Sequence, residues 1–136
     1  MDLAVERDTG EVTVRRVFAA HDCGRIVNPL LQSSQVIGGI TQALGYALSE
    51  HRVVDARLGE VLNANLEEYK VPTVADIPEI LNVSESMPDE EANSTGAKGC
   101  GEPPIIPTAA AIANAIYSAT GVRIRELPIT REKLIR

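Results

Sequence analysis

The residues able to do chemistry gather in one stretch, Gly96-Ala97-Lys98-Gly99-Cys100-Gly101-Glu102-Pro103-Pro104. Its glycines let backbone amides press against a ligand. Glu102 offers one acid/base group beside them, and two prolines fix φ and favour a helix start just after the carboxylate. Such a carboxylate could equally complement a helix N-terminus. Lys98 in a Gly-rich loop suggests a phosphate cradle, but the Gly-Lys-Ser/Thr arrangement is missing, which speaks against a P-loop. Cys100, two residues before a carboxylate, is disfavoured as a thiolate and reads as a lining residue.

A second set of candidates lies on a long helical pattern over residues 29–50, announced by Asn28-Pro29, a cap followed by proline at the first helical position. Ile37, Ile40, Leu44, Ala47 and Leu48 form an apolar stripe, while Gln35, Gly38, Gly39, Gln42 and Gly45 share another face. Three interior glycines cost about 3 kcal/mol against alanine, at about 1 kcal/mol each. A close neighbour, another backbone or a ligand, explains them economically. Gln35 and Gln42 are two turns apart and look the same way, although solvated positions are the usual explanation of such residues. His21-Asp22-Cys23-Gly24-Arg25 is a polar loop; one His and one Cys without a partner set read as structure rather than as a metal site.

The elements that must position these residues follow from pattern. Residues 3–6 and 12–19 read as strands joined by Asp8-Thr9-Gly10, a hairpin signal. A second hairpin pairs residues 52–54 with 60–62 around Leu58-Gly59, and residues 80–84 form a further strand. Residues 72–78 are a proline-punctuated loop, and the acidic segment 88–95 reads as mobile. The last long helix starts at about Pro104 or Thr108 and runs to Thr120, with Ile105, Ala109, Ile112, Ile116 and Ala119 on its buried face and Gly121 as its stop. A closing strand is expected over residues 122–126, then a final helical turn at Thr130-Arg131-Glu132-Lys133. The sum is an α+β fold, two principal helices packed on a mostly antiparallel sheet, as a single domain over residues 1–136.

Composition narrows the function. With 44% hydrophobic but 3% aromatic residues and no Trp, the core must be aliphatic. The net charge of −6 argues against a nucleic-acid binder, which needs a basic face to neutralise phosphates. Cys23 and Cys100 make neither a disulfide framework nor an iron–sulfur ligand set. Met1-Asp2-Leu3 opens no signal peptide, no stretch is apolar enough to span a bilayer, and the cytoplasm is the expected location. The Glu67-Glu68 pair and the Asp89-Glu90-Glu91 run read as solvated charge.

Four segments in order carry a family likeness: residues 21–29 (His21-Asp22-Cys23-Gly24-Arg25 to Asn28-Pro29), residues 35–45 (Gln35 to Gly45), Tyr69-Lys70-Val71-Pro72, and the stretch from Gly96 to Pro104. Together they resemble the C-terminal part of the molybdenum-binding subunit of the xanthine dehydrogenase/aldehyde oxidase family, in the bacterial branch that includes isoquinoline oxidoreductase. The resemblance implies the C-terminal portion of a molybdopterin-binding domain. It places Glu102 at the family's catalytic glutamate and Gln35 at a glutamine that hydrogen-bonds the pterin. Gly99, Cys100 and Gly101 fall on the backbone stretch against the molybdenum centre. It implies that molybdopterin, in bacteria usually the cytosine dinucleotide, holds the metal through its dithiolene, so no protein ligand cluster is required. It further implies oxidation of an aldehyde or N-heterocycle with water-derived oxygen, with Glu102 as general base and electrons leaving through iron–sulfur clusters. The partners implied are the remaining part of the molybdenum subunit and the iron–sulfur and flavin subunits or domains. The family's subunit is far longer, which suggests that this chain is inactive alone. Where many relatives carry glycine after the second glutamine of the helix, this chain has Ala43, and Ser33-Ser34 replace a more acidic or glycine-bearing approach. The competing expectation is a non-catalytic α+β interaction module or truncated fragment that binds no cofactor by itself and forms a homo-oligomer. A nucleotide-binding loop protein is a third, resting on the Gly-rich segment alone.

Overall fold

The computed structural model of the chain describes residues 1–135. Strands β1 (Asp2–Val5) and β2 (Val12–Ala19) form the expected antiparallel hairpin. A bulge between Asp2 and Leu3 pairs Leu3 with Val14 but Asp2 with Arg16. The extra residue on β2 reverses the side-chain parity, so Val12 and Val14 before it and Val17 and Ala19 after it all face inward. Strand β5 (Glu79–Asn82) joins β2 in parallel, giving a three-stranded sheet in the order β1-β2-β5. The short β3 (Val54–Asp55) and β4 (Glu60–Val61) pair antiparallel as a separate ribbon. Two of the three strand pairings are therefore antiparallel, as the α+β reading expects.

Helix α1 spans Pro29–Leu48 and α2 spans Ile106–Thr120. Asn28 caps α1 by accepting from the Leu31 amide at 3.0 Å, with Pro29 opening the first turn. The buried stripe of α1 is rotated from the expected one. Val36, Ile40, Ala43, Leu44 and Ala47 are buried, while Ile37 is exposed. The bury-every-third-or-fourth rule admits either Val36 or Ile37, and the sheet takes Val36. On α2, Ile112 and Ile116 are fully buried, but Ala119, expected on the same face, is exposed. These residues meet Val17, Ile129 and Leu134 in one aliphatic core.

The expected closing strand at residues 122–126 is not formed. Val122 and Ile124 alternate inward with Arg123 and Arg125 outward, as a strand would, but no neighbouring strand pairs with them. Their alternation comes from packing on the core rather than from a ladder. The final helical turn is present as a 3-10 turn at Arg131–Lys133. Among the described residues, no helix is long and apolar enough to cross a membrane.

Candidate functional site

The chemistry-bearing loop is held by three neighbouring segments. Gly24 and Ala97 form an isolated antiparallel bridge, the Arg25 amide donates to Gly96 O at 2.7 Å, and the Lys98 amide donates to Cys23 O at 2.8 Å. Gly96 and Gly24 both take positive φ, +67° and +61°, and a Cβ on Gly24 would collide with the Gly96 carbonyl. Glycine is required at this crossing on both counts. The Asp89 amide closes the far side by donating to Gly96 O at 3.0 Å, and Asn93 Nδ2 donates to Ala97 O at 2.7 Å. Segment 88–95, expected to be mobile, thus forms turns that cap the loop.

Lys98 ties the arrangement together. Its Nζ lies 2.6 Å from Asp22 Oδ2 and 3.1 Å from Asp89 Oδ2. Hydrogen bonding from Lys98 lowers the pKa of both carboxyls, and Asp22 first, then Asp89, raise that of the ammonium. The lysine is therefore committed to the protein's own carboxylates, not to a phosphate.

At the far end of the loop, the Ile105 amide donates to Glu102 O at 2.9 Å and the Ile106 amide to Pro103 O at 3.2 Å. The chain begins to wind at Glu102, as the double proline predicts, and α2 proper follows at Ile106. Pro104 is fully buried against α1. A Cβ on Gly39 would sit 2.9 Å from Pro104 Cβ and 3.3 Å from the Ile105 nitrogen. Tyr46 OH donates to Ile105 O at 3.2 Å two turns further along α1. Gly39 thus lets the Glu102 turn seat directly on α1.

This seating brings the sequence-derived candidates together. A Cβ placed on Gly101 would have Gln35 Oε1 as its nearest neighbour, at 3.8 Å. Gln35, Gly99, Gly101 and Glu102 are all exposed, Cys100 is half-buried, and nothing lies within 4 Å of where a Cβ on Gly99 or Gly38 would be. Gln42 is also exposed, but no hydrogen bond or contact joins it to this group. The result is an exposed stretch of glycine backbone with the Gln35 amide beside Gly101 and Glu102 as the next residue in the chain. Two cavities, of about 570 Å³ and about 230 Å³, lie elsewhere and neither is bordered by Gln35 or Glu102. In the larger cleft Arg131 pairs with Glu11 and Asp76 bonds Thr73, while Lys70 also lines it.

Sequence reasoning missed Gln32. It is buried with its Oε1 accepting from Asn82 Nδ2 at 2.8 Å and its Nε2 directed to Cys23 Sγ at 3.8 Å. Cys100 Sγ lies 4.0 Å from the Gln32 carbonyl. Asn82 in turn accepts from Ser84 Oγ at 2.6 Å. The buried Gln32 side chain therefore links α1 to β5 and the Cys23 loop, and its backbone carbonyl meets Cys100. The signal was present, since Gln32, Val36 and Ile40 are spaced four apart and share one helix face. Burial, followed by the neighbouring Cys23 thiol, pushes the Cys100 thiol up to about 11. Cys100 is thus protonated at neutral pH, as expected, but through burial rather than through Glu102.

A pterin cofactor bound to molybdenum fits these residues in kind. Among the described residues no three His, Cys, Asp or Glu side chains group to hold a metal ion. What the surface offers is an amide, open glycine backbone and one carboxylate, suited to the edge of a cofactor that brings its own metal ligands.

Comparison with known proteins shows the family. Residues 1–78 match the model of the molybdopterin cofactor-binding domain. The chain is 45% identical over 134 residues to the putative xanthine dehydrogenase molybdenum-binding subunit of Escherichia coli (strain K12), covering 98% of this chain and 18% of that protein. It is 44% identical over 135 residues to the aldehyde oxidoreductase molybdenum-binding subunit of the same organism, covering 99% of this chain and 18% of that protein. Among solved structures, quinoline 2-oxidoreductase from Pseudomonas putida superposes with a TM-score of 0.85 at 31% identity, over 97% of this chain and 17% of that one. Aldehyde oxidoreductase from Desulfovibrio desulfuricans gives 0.86 at 36% identity, over 98% and 14%. The chain spans less than a fifth of the length of these proteins. It belongs to the molybdopterin cofactor-binding domain family, in the form found in molybdenum-binding subunits of the xanthine dehydrogenase and aldehyde oxidoreductase group.

Proposed function

We propose that the chain contributes the cofactor-edge wall and the general base of a molybdenum hydroxylase acting on an aldehyde or N-heterocycle. The observation that carries this is the adjacency of the Gln35 amide oxygen to Gly101, with Glu102 exposed as the next residue. Gln35 presents a hydrogen-bonding amide to the pterin. The open backbone at Gly99, Cys100 and Gly101 lets the cofactor approach more closely than side chains would allow. When bound, the molybdenum cofactor supplies the two-electron redox chemistry and polarises a water-derived oxygen. Glu102 accepts that oxygen's proton on its carboxylate, a role that depends on hydrogen-bond reach in the assembled site. Its position at the start of a helical turn, braced by Pro103 and the buried Pro104, fixes where the carboxylate is presented.

The substrate pocket and the electron path belong to other polypeptide in this reading: the remaining part of a molybdenum subunit, with iron–sulfur and flavin partners. The cytosine dinucleotide is the cofactor form the bacterial resemblance favours. The exposed apolar residues Leu30, Leu31, Leu66 and Val74 support such partnering, since Val74 is 96% and Leu66 80% exposed. The chain acts in the cytoplasm as the C-terminal part of a molybdopterin-binding domain.

Metal and pterin analysis of the protein isolated with its native partners tests the reading. Molybdenum and pterin in equal amounts are expected, with Glu102→Gln retaining both while turnover is lost. A metal-free, cofactor-free homo-oligomer would instead favour a non-catalytic interaction module. Activity that survives Glu102→Gln would remove the base assignment.

A further inference from the structure

We propose that Cys23 and Cys100 are a reversible disulfide pair, closed by peroxide, that clamps the loop bearing Glu102 to the segment after β2. Both cysteines are free thiols. The ladder formed by the Gly24–Ala97 bridge and the Lys98-to-Cys23 backbone bond holds their two segments antiparallel and in contact. Both sulfurs lean on the same residue, Cys23 Sγ 3.8 Å from Gln32 Nε2 and Cys100 Sγ 4.0 Å from Gln32 O, and the neighbouring Cys23 thiol helps raise the pKa of Cys100. Closing a disulfide draws the sulfurs to about 2.05 Å, so one side of the pair must move. The backbone around Cys100 has room to do so. No atom lies within 4 Å of a Cβ on Gly99, and only the end of the Gln35 side chain, at 3.8 Å, approaches one on Gly101.

The chemistry balances in two steps. Cys100 is half-buried where Cys23 is fully buried, so Cys100 meets oxidant first. Its sulfur attacks hydrogen peroxide; the O–O bond breaks, an S–O bond forms, and one water leaves with the thiol proton. Cys23 sulfur then attacks Cys100 sulfur, the S–O bond breaks, and hydroxide leaves as a second water after taking the Cys23 proton. Two thiols lose two electrons and one peroxide becomes two waters. Burial keeps Cys100 protonated at neutral pH, so the first step is slow and answers to sustained rather than passing oxidant. The bond forms or fails regardless of which cofactor the surface binds.

The test uses the protein purified reduced from its own cells, treated with hydrogen peroxide, digested, and read by mass spectrometry. The expected product is a peptide pair joined through Cys23 and Cys100, two hydrogens lighter than its parts and released by dithiothreitol. Free thiols in the folded chain should fall from two to none together. In Cys23→Ser, which lacks the resolving thiol, Cys100 should proceed to sulfinic acid. Should that variant fail to fold, the peptide map and thiol count of the unmodified chain decide alone. Sulfinic acid at Cys100 of the unmodified chain, or one thiol lost while the other persists, overturns the proposal. So does survival of both thiols under sustained peroxide exposure.

Discussion

The two sides of α1 use glycine for different ends. On the inner side, a methyl on Gly39 would press into Pro104 and Ile105; Gly45 looks the same way as Gly38, two turns on, but there the chain folds back over it, and a methyl would collide with the Glu50 carboxylate and approach Pro72 to 2.8 Å. Those glycines are explained by the chain's own packing. Gly45 accommodates the fold-back in which Tyr69 OH donates to Glu50 at 2.8 Å and Ser49 Oγ to Lys70 O at 2.8 Å. On the outer side, Gly38 has nothing within 4 Å, and Gly99 shares that openness across the loop. A mid-helix glycine without a neighbour sacrifices about 1 kcal/mol of helix propensity with no compensation inside the chain. The difference teaches that Gly39 and Gly45 are explained by contacts within this polypeptide and that Gly38 is not.

The largest effect expected lies on the outer side. Glu102→Gln should lower turnover by about 10²–10⁴-fold, the usual contribution of a general base, while the melting temperature stays within a degree or so, because an exposed side chain contributes little to stability. A large drop in melting temperature would mean the residue is structural and the two faces are not distinct. Next comes the inner side. Gly39→Ala should destabilise by about 1–2 kcal/mol, because overpacking against Pro104 outweighs the propensity gained; urea unfolding measures it. A stabilised variant would show that the Glu102 turn can move off α1 freely.

Gln32→Leu is expected to cost a similar amount, about 1–3 kcal/mol, by leaving the Asn82 amide without its acceptor. Gly38→Ala should do the reverse, raising stability of the chain by up to about 1 kcal/mol while reducing pterin content. Retention of full cofactor would leave the outer glycine unexplained.

Smaller effects appear in pH dependence, with opposite signs at the two ends of the loop. Lys98 holds the pKa of Asp22 and Asp89 below the ordinary value, so their contribution is present above that value and is lost as pH falls through the depressed one. Lys98→Met should therefore flatten the acid limb of a melting-temperature profile. Cys100 is raised to about 11, so its contribution is complete below the ordinary thiol value and fades as pH rises toward 11. Cys100→Ser should flatten the alkaline limb alone.

Much of this was legible in residue order. The Asn28 cap, the winding of the chain from Glu102, and the Gly121 stop are local, each fixed by backbone chemistry within a turn of helix. The Gly-rich loop and Glu102 stood out as flexible backbone beside a carboxylate and a double proline, whereas Gln35 took its role from the family resemblance. Other features eluded pattern because their causes are distant in sequence. Val36 rather than Ile37 faces the core because the sheet, not helical periodicity, selects among adjacent apolar residues. Residues 122–125 alternate like a strand but lack a neighbour to bond with.

Residue types and their short-range spacing set the helices, the first hairpin and the inventory of reactive groups, since those depend on torsions and contacts a few residues long. Which of those groups meet was settled by long-range packing. Gly39 seats a turn sixty-odd residues away, and the Gly24–Ala97 bridge joins the two cysteine loops. Such contacts leave no periodic trace in the chain. Volume exclusion and backbone pairing in three dimensions place them.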